Sequence, residues 1–543
     1  MKFGPVPVAE AEGAILAHSR RAGSRALKKG RTLSAEDVAA LVAAGIDTVI
    51  AARLDPDDVP EDVAAKRIAG AVMGDGLSAS APFTGRVNLF AELPGLVSVD
   101  AARLDALNLV DEAITVATLP PYSPVDSGQM VATIKIIPFA AAGAALAAVE
   151  RAAAGPSPLV RVAGFRPLAA ALIQTRLPGV KDSVLDKTVE VTRSRLAGIG
   201  GRLALDRRAP HESPAVAAAI REALDAGVDI VLIAGASAIV DRRDVLPEGI
   251  VAAGGTVDHF GMPVDPGNLL LLAHVGKTAV LGLPGCARSP KANGFDWVLQ
   301  RLAADIPVSR TDVMRMGAGG LLAEIPTRPQ PRAADGTPAA PRAPRIAALV
   351  LAAGQSRRMG ANKLIATVDG APMVQRTVDA VLASKARPVI VVTGHQSDAV
   401  AGALAGRKVT IGTNPAFADG LSTSLRAGLA ALPADADGAI VCLGDMPRVP
   451  PATIDRLIAA FNPTEGRAIC VPTSDGTRGN PILWSRRFFA EMAAVTGDTG
   501  ARKLLADHAD QVTEVETGDA GVLIDVDTPE ALAALGPGAT AAA

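Results

Sequence analysis

The chain has 543 residues, and 54 lysines and arginines stand against 56 aspartates and glutamates, a balance that excludes a general nucleic-acid binder. Aromatic residues make up 3%, with one tyrosine and two tryptophans, so base-stacking platforms are scarce. The three cysteines, Cys286, Cys442 and Cys470, form no CxxC pair, which argues against a disulfide framework or a structural zinc site and for a reducing cytoplasm. The longest uncharged apolar stretch, Ile136 to Val149, contains a proline and falls short of the roughly 20 residues a membrane span needs. The opening MKFGPVPVAEAEGAIL lacks the charged-then-apolar profile of a signal peptide. The expectation is a soluble cytoplasmic protein of three or four domains, with no nucleic acid and no membrane among its partners.

Residues 1–157 read as a mixed α+β lead segment. Short strands are expected at Thr48 to Arg53 and Val131 to Phe139, and a helix over SAEDVAALVAAG. Ser34 would cap that helix, Asp37 would form a near capping box, and Gly45 would end it. Residues 158–325 alternate continuous apolar strands (LVRVAGF, GGRLAL, DIVLIAG, TAVLGLPG) with amphipathic helices, the pattern of a parallel sheet covered on both faces. GKT at Gly276 to Thr278 is not a P-loop, because the glycine that motif needs five residues earlier is Leu271. Residues 326–345 hold six prolines in twenty positions and read as an extended linker, a tether that leaves orientation free. The strand–helix alternation returns over 346–536, a doubly wound domain, and 537–543 reads as a disordered tail.

In this last domain a buried strand runs into LAAGQSRRMGANKL. Ala352, Ala353, Gly354 and Ser356 let backbone N–H groups approach an anion, and Arg357, Arg358 and Lys363 supply charge for phosphate oxygens. GDMP places Asp445 at a strand end, where a carboxylate can hold Mg²⁺ beside a triphosphate. DVDTPEAL places Asp525 and Asp527 at another strand end, before a proline-initiated helix that either could cap.

These segments, with TGH (Thr393 to His395), NPAFADGLSTSLRAGL, RGNPILW and TGDTGARKLL in order, resemble the molybdenum cofactor nucleotidyltransferases across 346–536. The resemblance implies an enzyme with a Rossmann-like domain that joins a nucleoside monophosphate to molybdopterin and releases pyrophosphate. LAAG in the first motif resembles the cytidylyl branch, so CTP is favoured over GTP. Arg358, Lys363 and Asp445 would be catalytic, and Asp445 with Asp527 would hold Mg²⁺. Leu351, Ala352, Ala353, Gly354, Ser356, Arg357, Lys363, Thr393, Gly394, Gly420, Ser422 and Ser424 would contact the nucleotide. His395 could meet the base and stays outside the catalytic set.

Leu27 to Leu54, Ala234 to Leu272 and Val280 to Pro290 resemble molybdopterin molybdotransferases. The resemblance implies a molybdopterin-binding α/β domain, with Gly235, Ser237, Asp241, Asp244, Gly282, Pro284 and Gly285 at the pterin. The sequence departs from that pattern at Ala234-Gly235-Ala236-Ser237, where Gly-Gly is usual, and at Cys286-Ala287-Arg288, where Asn-Pro is usual. The reading is therefore a module that holds and delivers the pterin. Other readings remain open: guanylyl transfer, a sugar or alcohol phosphate acceptor, or a cofactor-binding scaffold for a recipient molybdoenzyme.

Overall fold

The computed structural model describes residues 1–535 apart from 24, 179–180, 323–341, 357–358, 360, 464–465, 496 and 498–501. Most of the linker, the tail 537–543, Arg357 and Arg358 thus lie outside the described residues. The chain is mixed α/β, and among the described residues no helix is long and apolar enough to cross a membrane.

In the lead segment Lys2–Pro7 pairs antiparallel with Thr48–Arg53. Helix Ala35–Ala43 begins at Ser34, whose hydroxyl accepts from the Asp37 N–H while the Asp37 carboxylate accepts from the Ser34 N–H. The short acid therefore completes a capping box, and the chain turns away at Gly45 with φ +69°. One strand differs from expectation. Val160–Gly164, assigned by its apolar run to the second unit, pairs antiparallel with Gly95–Val99 of the lead segment. A continuous apolar run says that a strand is buried but not beside which partner. Here paired glycines decide it, since a Cβ on Gly95 would lie 2.2 Å from the Ala163 carbonyl oxygen.

The second unit is a six-stranded sheet in the order Arg202–Pro210, Ala169–Arg176, Ile230–Ala234, Thr278–Leu283, Leu271–Val275, Thr256–Phe260. The first four strands are parallel, Leu271–Val275 runs against them, and Thr256–Phe260 pairs antiparallel with it, so the sheet is mixed. Leu172, Leu232 and Leu281 pack with helices Asp182–Ala197 and Gly294–Ala303 on one face. Ile173, Val231 and Val280 pack with Ser213–Asp225 and Val245–Ala252 on the other. Gly276, with φ +57°, turns a hairpin between antiparallel strands, a setting foreign to a P-loop.

The C-terminal domain is a Rossmann-like mixed sheet. Ile346–Ala352, buried along its whole length, lies between the parallel strands Val389–Thr393 and Gly438–Leu443. Thr410–Thr413 continues one side, and antiparallel Ile482–Ser485 begins the other. Chain order reverses direction across the sheet at Ile346–Ala352, and such reversals open a crevice at the carboxyl ends of the strands. The two halves touch directly, which a free tether would not require. Arg456 donates to Asp62 at 3.3 Å, the Arg467 guanidinium lies over the Phe83 ring, and Arg342 pairs with Asp437 at 2.8 Å beside the Ala343–Gly128 backbone bond.

Glu61 opens helix Glu61–Val72 of the lead segment, 3.9 Å from the Lys135 ammonium. Burial pushes its carboxyl up to about 7, against the opposing pull of Lys135. Below the ordinary carboxyl value of 4.5 the folded and unfolded chains both keep the proton, so this site costs nothing there. As pH rises towards 7 the unfolded chain releases the proton first, and stability is lost. Wild-type protein should therefore lose of order 2 kcal/mol between about pH 5 and about pH 8 relative to Glu61→Gln, read from thermal melts at each pH. Parallel stability curves for the two chains would contradict the assignment.

Candidate active site

The crevice of the C-terminal domain is walled by three chain segments that follow strands. The first follows Ile346–Ala352. Leu351, Ala352 and Ala353 are buried, and Gly354 is exposed with nothing within 4 Å of where a Cβ would stand, so a ligand can come down on its backbone. Ser356 takes a left-handed φ of +51°, and its hydroxyl accepts from the Lys363 N–H at 3.1 Å. Asn362, buried, accepts from the Leu364 N–H and starts the short turn Lys363–Ile365. The loop thus folds back so that Lys363 re-enters the crevice.

The second segment follows Gly438–Leu443. Gly444 donates to the Leu351 carbonyl at 2.9 Å, and a side chain there would meet that carbonyl oxygen at 3.1 Å. Asp445 is carried next, its carbonyl accepting from Val526 N–H at 3.1 Å. The third segment is the approach to helix Pro529–Ala533. Thr528 caps that helix by accepting from the Ala531 N–H, which leaves Asp527 out of the cap. Asp525 and Asp527 follow a 3-10 turn, Ala520–Leu523, where the sequence reading expected a strand.

These segments converge on one group. The Lys363 ammonium lies 2.5 Å from Asp445 Oδ2 and 2.6 Å from Asp527 Oδ1. Burial opposes the lysine's charge, but the attraction of Asp445 and the hydrogen bonds to both carboxylates outweigh it and hold the group above the ordinary lysine value. Asp445 Oδ1 is buried without a hydrogen-bond partner among the described residues. An orphaned anionic oxygen of this kind is costly unless a cation or donor reaches it.

The opposite wall starts at Thr393, fully buried, whose hydroxyl meets Ser397 at 2.8 Å. A Cβ on Gly394 would stand 2.6 Å from the Phe417 side chain and 2.9 Å from Ala353, so only glycine lets these three loops close together. His395 donates its N–H to the Ala353 carbonyl, with its ring 6.0 Å from that of Phe417. Gly420, at φ +106°, turns the chain into helix Leu421–Ala430. Ser422 and Ser424 are both buried, and Ser424 takes a hydrogen bond from Asn414 at 3.0 Å. Ser424 therefore braces the wall from behind, and Asn414, which sequence reasoning missed, ties it to Thr393 through a 2.8 Å backbone bond.

The second unit gathers its expected residues less tightly. Gly235 and Ser237 follow Ile230–Ala234 and lie close to Pro284 and Gly285, because Arg288 of the turn Gly285–Arg288 donates to the Gly235 carbonyl at 2.8 Å. Gly282 serves packing, since a Cβ there would meet Leu271 at 2.9 Å. Asp241 bonds to the Arg243 N–H and guanidinium, and Asp244 caps helix Val245–Ala252, so both carboxylates are used within their own loop. Thr175, His211 and Arg288 stand at this edge; Arg288 was noted from sequence only as a departure from the family pattern, and Thr175 and His211 were not singled out. The signal available was His211 itself, placed at a strand end just before a helix that begins Ser-Pro.

Residues 348–512 match the family described as the MobA-like NTP transferase domain, and residues 5–53 match a domain of unknown function (DUF8806). The chain is 29% identical over 188 residues to the molybdenum cofactor cytidylyltransferase of Escherichia coli (strain K12), covering 34% of this chain and 92% of that protein. It is 30% identical over 198 residues to the purine catabolism protein PucB of Bacillus subtilis (strain 168), covering 35% and 95%. Similarity to the nicotine blue oxidoreductase of Paenarthrobacter nicotinovorans is 26% over 193 residues, covering 34% and 94%. Among solved structures, Rv0371c from Mycobacterium tuberculosis H37Rv is 30% identical over 35% of this chain and 96% of its own, with a TM-score of 0.31.

The ammonium of Lys363 occupies the space between the two carboxylates and competes with any metal for them. Lys363→Ala should therefore bind Mn²⁺ roughly tenfold more tightly than wild type when no nucleotide is present, and Asp445→Asn should bind it at least as many times more weakly. Electron paramagnetic resonance of free Mn²⁺ measures both. Equal affinity in all three proteins would mean that the pair is not a cation site.

Proposed function

The chain belongs to the MobA-like NTP transferases through residues 348–512, and from that membership we propose a molybdenum cofactor cytidylyltransferase. The nucleotidyltransferase activity follows from the family; the nucleotide and the acceptor are our reading. CMP would pass from CTP to the phosphate of molybdopterin, giving the cytosine dinucleotide form and pyrophosphate. The observation that carries the reading is the Lys363 ammonium set between Asp445 and Asp527 beside an open glycine loop.

The acceptor phosphate has a second pKa near 6 and is already largely dianionic at about pH 7, so the site needs no base to make a nucleophile. One acceptor oxygen forms a bond to the α-phosphorus of CTP while the bond from that phosphorus to the bridging oxygen breaks, and the electron pair leaves with pyrophosphate. The protein's work is alignment and charge. Backbone at Leu351–Gly354 and the Ser356 turn would cradle the phosphates, and Lys363 would leave the carboxylates for the incoming triphosphate oxygens. The roles assigned to Arg357 and Arg358, on the same loop, are grasp of the β- and γ-phosphates. Asp445 and Asp527 fit a hard divalent cation, because Asp445 offers an unpartnered buried oxygen and such ions bind one or two carboxylates plus phosphates. Mg²⁺ bound there supplies neutralisation of charge on the departing pyrophosphate. Thr393, Gly394 and the Gly420–Ser422 turn would line the ribose and base.

The second unit would hold the pterin at the carboxyl ends of its parallel strands, where Gly235 and Ser237 stand against the Gly285–Arg288 turn. The relatives named for other pathways share the nucleotidyltransferase length of chain, so the acceptor has to be tested. Full-length protein with Mg²⁺ should release pyrophosphate from CTP, and much less from GTP, only when molybdopterin is present. Asp445→Ala should lower this turnover by roughly 10³-fold. Release driven by a sugar phosphate in place of the pterin would overturn the proposed acceptor, and full turnover by Asp445→Ala would overturn the site.

A further inference from the structure

Three parallel strands of the second unit end side by side, and one polar side chain from each end region meets the others. Thr175 closes Ala169–Arg176, His211 follows Arg202–Pro210, and Ser237 follows Ile230–Ala234. His211 Nδ1 lies 2.8 Å from Thr175 Oγ1, and His211 Nε2 lies 2.9 Å from Ser237 Oγ. Chain order reverses between the first and third of these strands, so the three residues stand at the crevice of this sheet.

The protons in this chain of hydrogen bonds can be followed. Thr175 is 1% exposed, and its hydroxyl oxygen accepts from the Ala236 N–H at 2.8 Å. Its own proton, shut away from water, is best used on His211 Nδ1. That bond makes Nδ1 the acceptor and puts the ring proton on Nε2, where it is donated to Ser237 Oγ. Ser237 is exposed and already accepts from the ring, so its O–H is left to donate outward. A serine in this state is no nucleophile, because the nitrogen beside it already carries a proton and cannot take another. It is a hydrogen-bond donor aimed at an acceptor-only group. Arg288 closes the same edge, one Nη2 held on the Gly235 carbonyl.

We infer that His211 is a positioning residue that fixes Ser237 as an outward hydrogen-bond donor to a tetrahedral oxyanion, with Arg288 at the same anion. The oxyanion is a phosphomonoester of a bound ligand or free inorganic phosphate. This rests on the reading that the second unit holds the pterin, whose phosphate would be that ester, and it adds Thr175 and His211 to that reading and gives Arg288 a role.

The test uses a thiol the site provides. Cys286 is exposed in the turn that also carries Arg288, while Cys442 and Cys470 are buried. Alkylation of Cys286 in the full chain therefore reports occupancy of this edge and is blind to the nucleotide site. Molybdopterin and, at higher concentration, inorganic phosphate should each slow alkylation of wild type roughly tenfold at saturation. His211→Gln, which can still donate to Ser237, should keep this protection. His211→Glu, which can only accept and so turns the Ser237 proton inward at neutral pH, should lose it, as should Ser237→Ala. The Gln and Glu variants are isosteric, so a folding defect from losing the ring would strike both and not separate them. Protection of His211→Glu equal to wild type overturns the role of His211. Protection of every variant by molybdopterin leaves the pterin-holding reading intact and removes this inference. His211-dependent protection by phosphate without protection by molybdopterin does the reverse. No protection of wild type by either probe removes both.

Discussion

Two carboxylates facing one crevice cannot stand bare, and much of the C-terminal domain is arranged around what lies between them. Lys363 is 82 residues from Asp445 and 164 from Asp527 in sequence, yet its ammonium touches both. At such distances an ion pair in a protein is worth several times its value in water, and an uncompensated one costs as much. The consequence is a site preset for exchange. On the proposed function a triphosphate would take the lysine while a divalent ion took the aspartates, so the charges would be satisfied both before and after substrate arrives. The left-handed Ser356 and the buried Asn362 matter because they turn a basic loop back on itself and deliver that one ammonium.

The same geometric solution is used twice along the chain. In both sheets the strand first in sequence acquires neighbours on its two sides, and the loops after those strands converge. What fills the convergence differs. The C-terminal crevice gathers unlike charges around a carboxylate oxygen with no partner among the described residues, and the second unit gathers two hydroxyls and an imidazole linked by hydrogen bonds, with a guanidinium beside them. The first arrangement suits a reaction that moves negative charge. The second suits reversible holding, because it presents directed hydrogen bonds without a group able to attack the ligand.

Legibility from sequence followed how local the physics was. The Ser34–Asp37 capping box, the Gly45 exit and the strand at Thr48–Arg53 depend on neighbours within a few positions, and each could be read directly. Gly354, Asp445 and Asp527 stood out only together, as a glycine loop and two later acids in an order that resembles a known family. What could not be read was pairing between distant segments. The apolar run Val160–Gly164 carried no sign that its partner lay in the lead segment. Asp527 looked like a helix cap until Thr528 took that role. Buried Ser424 gave no sign that Asn414 would claim its hydroxyl, nor Thr175 that it would orient a histidine.

The contacts between the halves add a constraint on how the two sites can cooperate. Arg342 and Arg345 precede the central strand Ile346–Ala352, Asp437 precedes Gly438–Leu443, and Arg467 precedes Ile469–Ser474, so all stand at the amino ends of the sheet. There Arg342 and the N–H of Arg345 bind Asp437, Ala343 bonds to Gly128 of the lead segment, and Phe83 lies under Arg467. The nucleotide crevice opens at the carboxyl ends, the other edge of the same strands. These contacts fasten the lead segment to the C-terminal domain at the edge opposite the candidate site. They have a purpose distinct from catalysis: they set where the lead segment stands against the C-terminal domain.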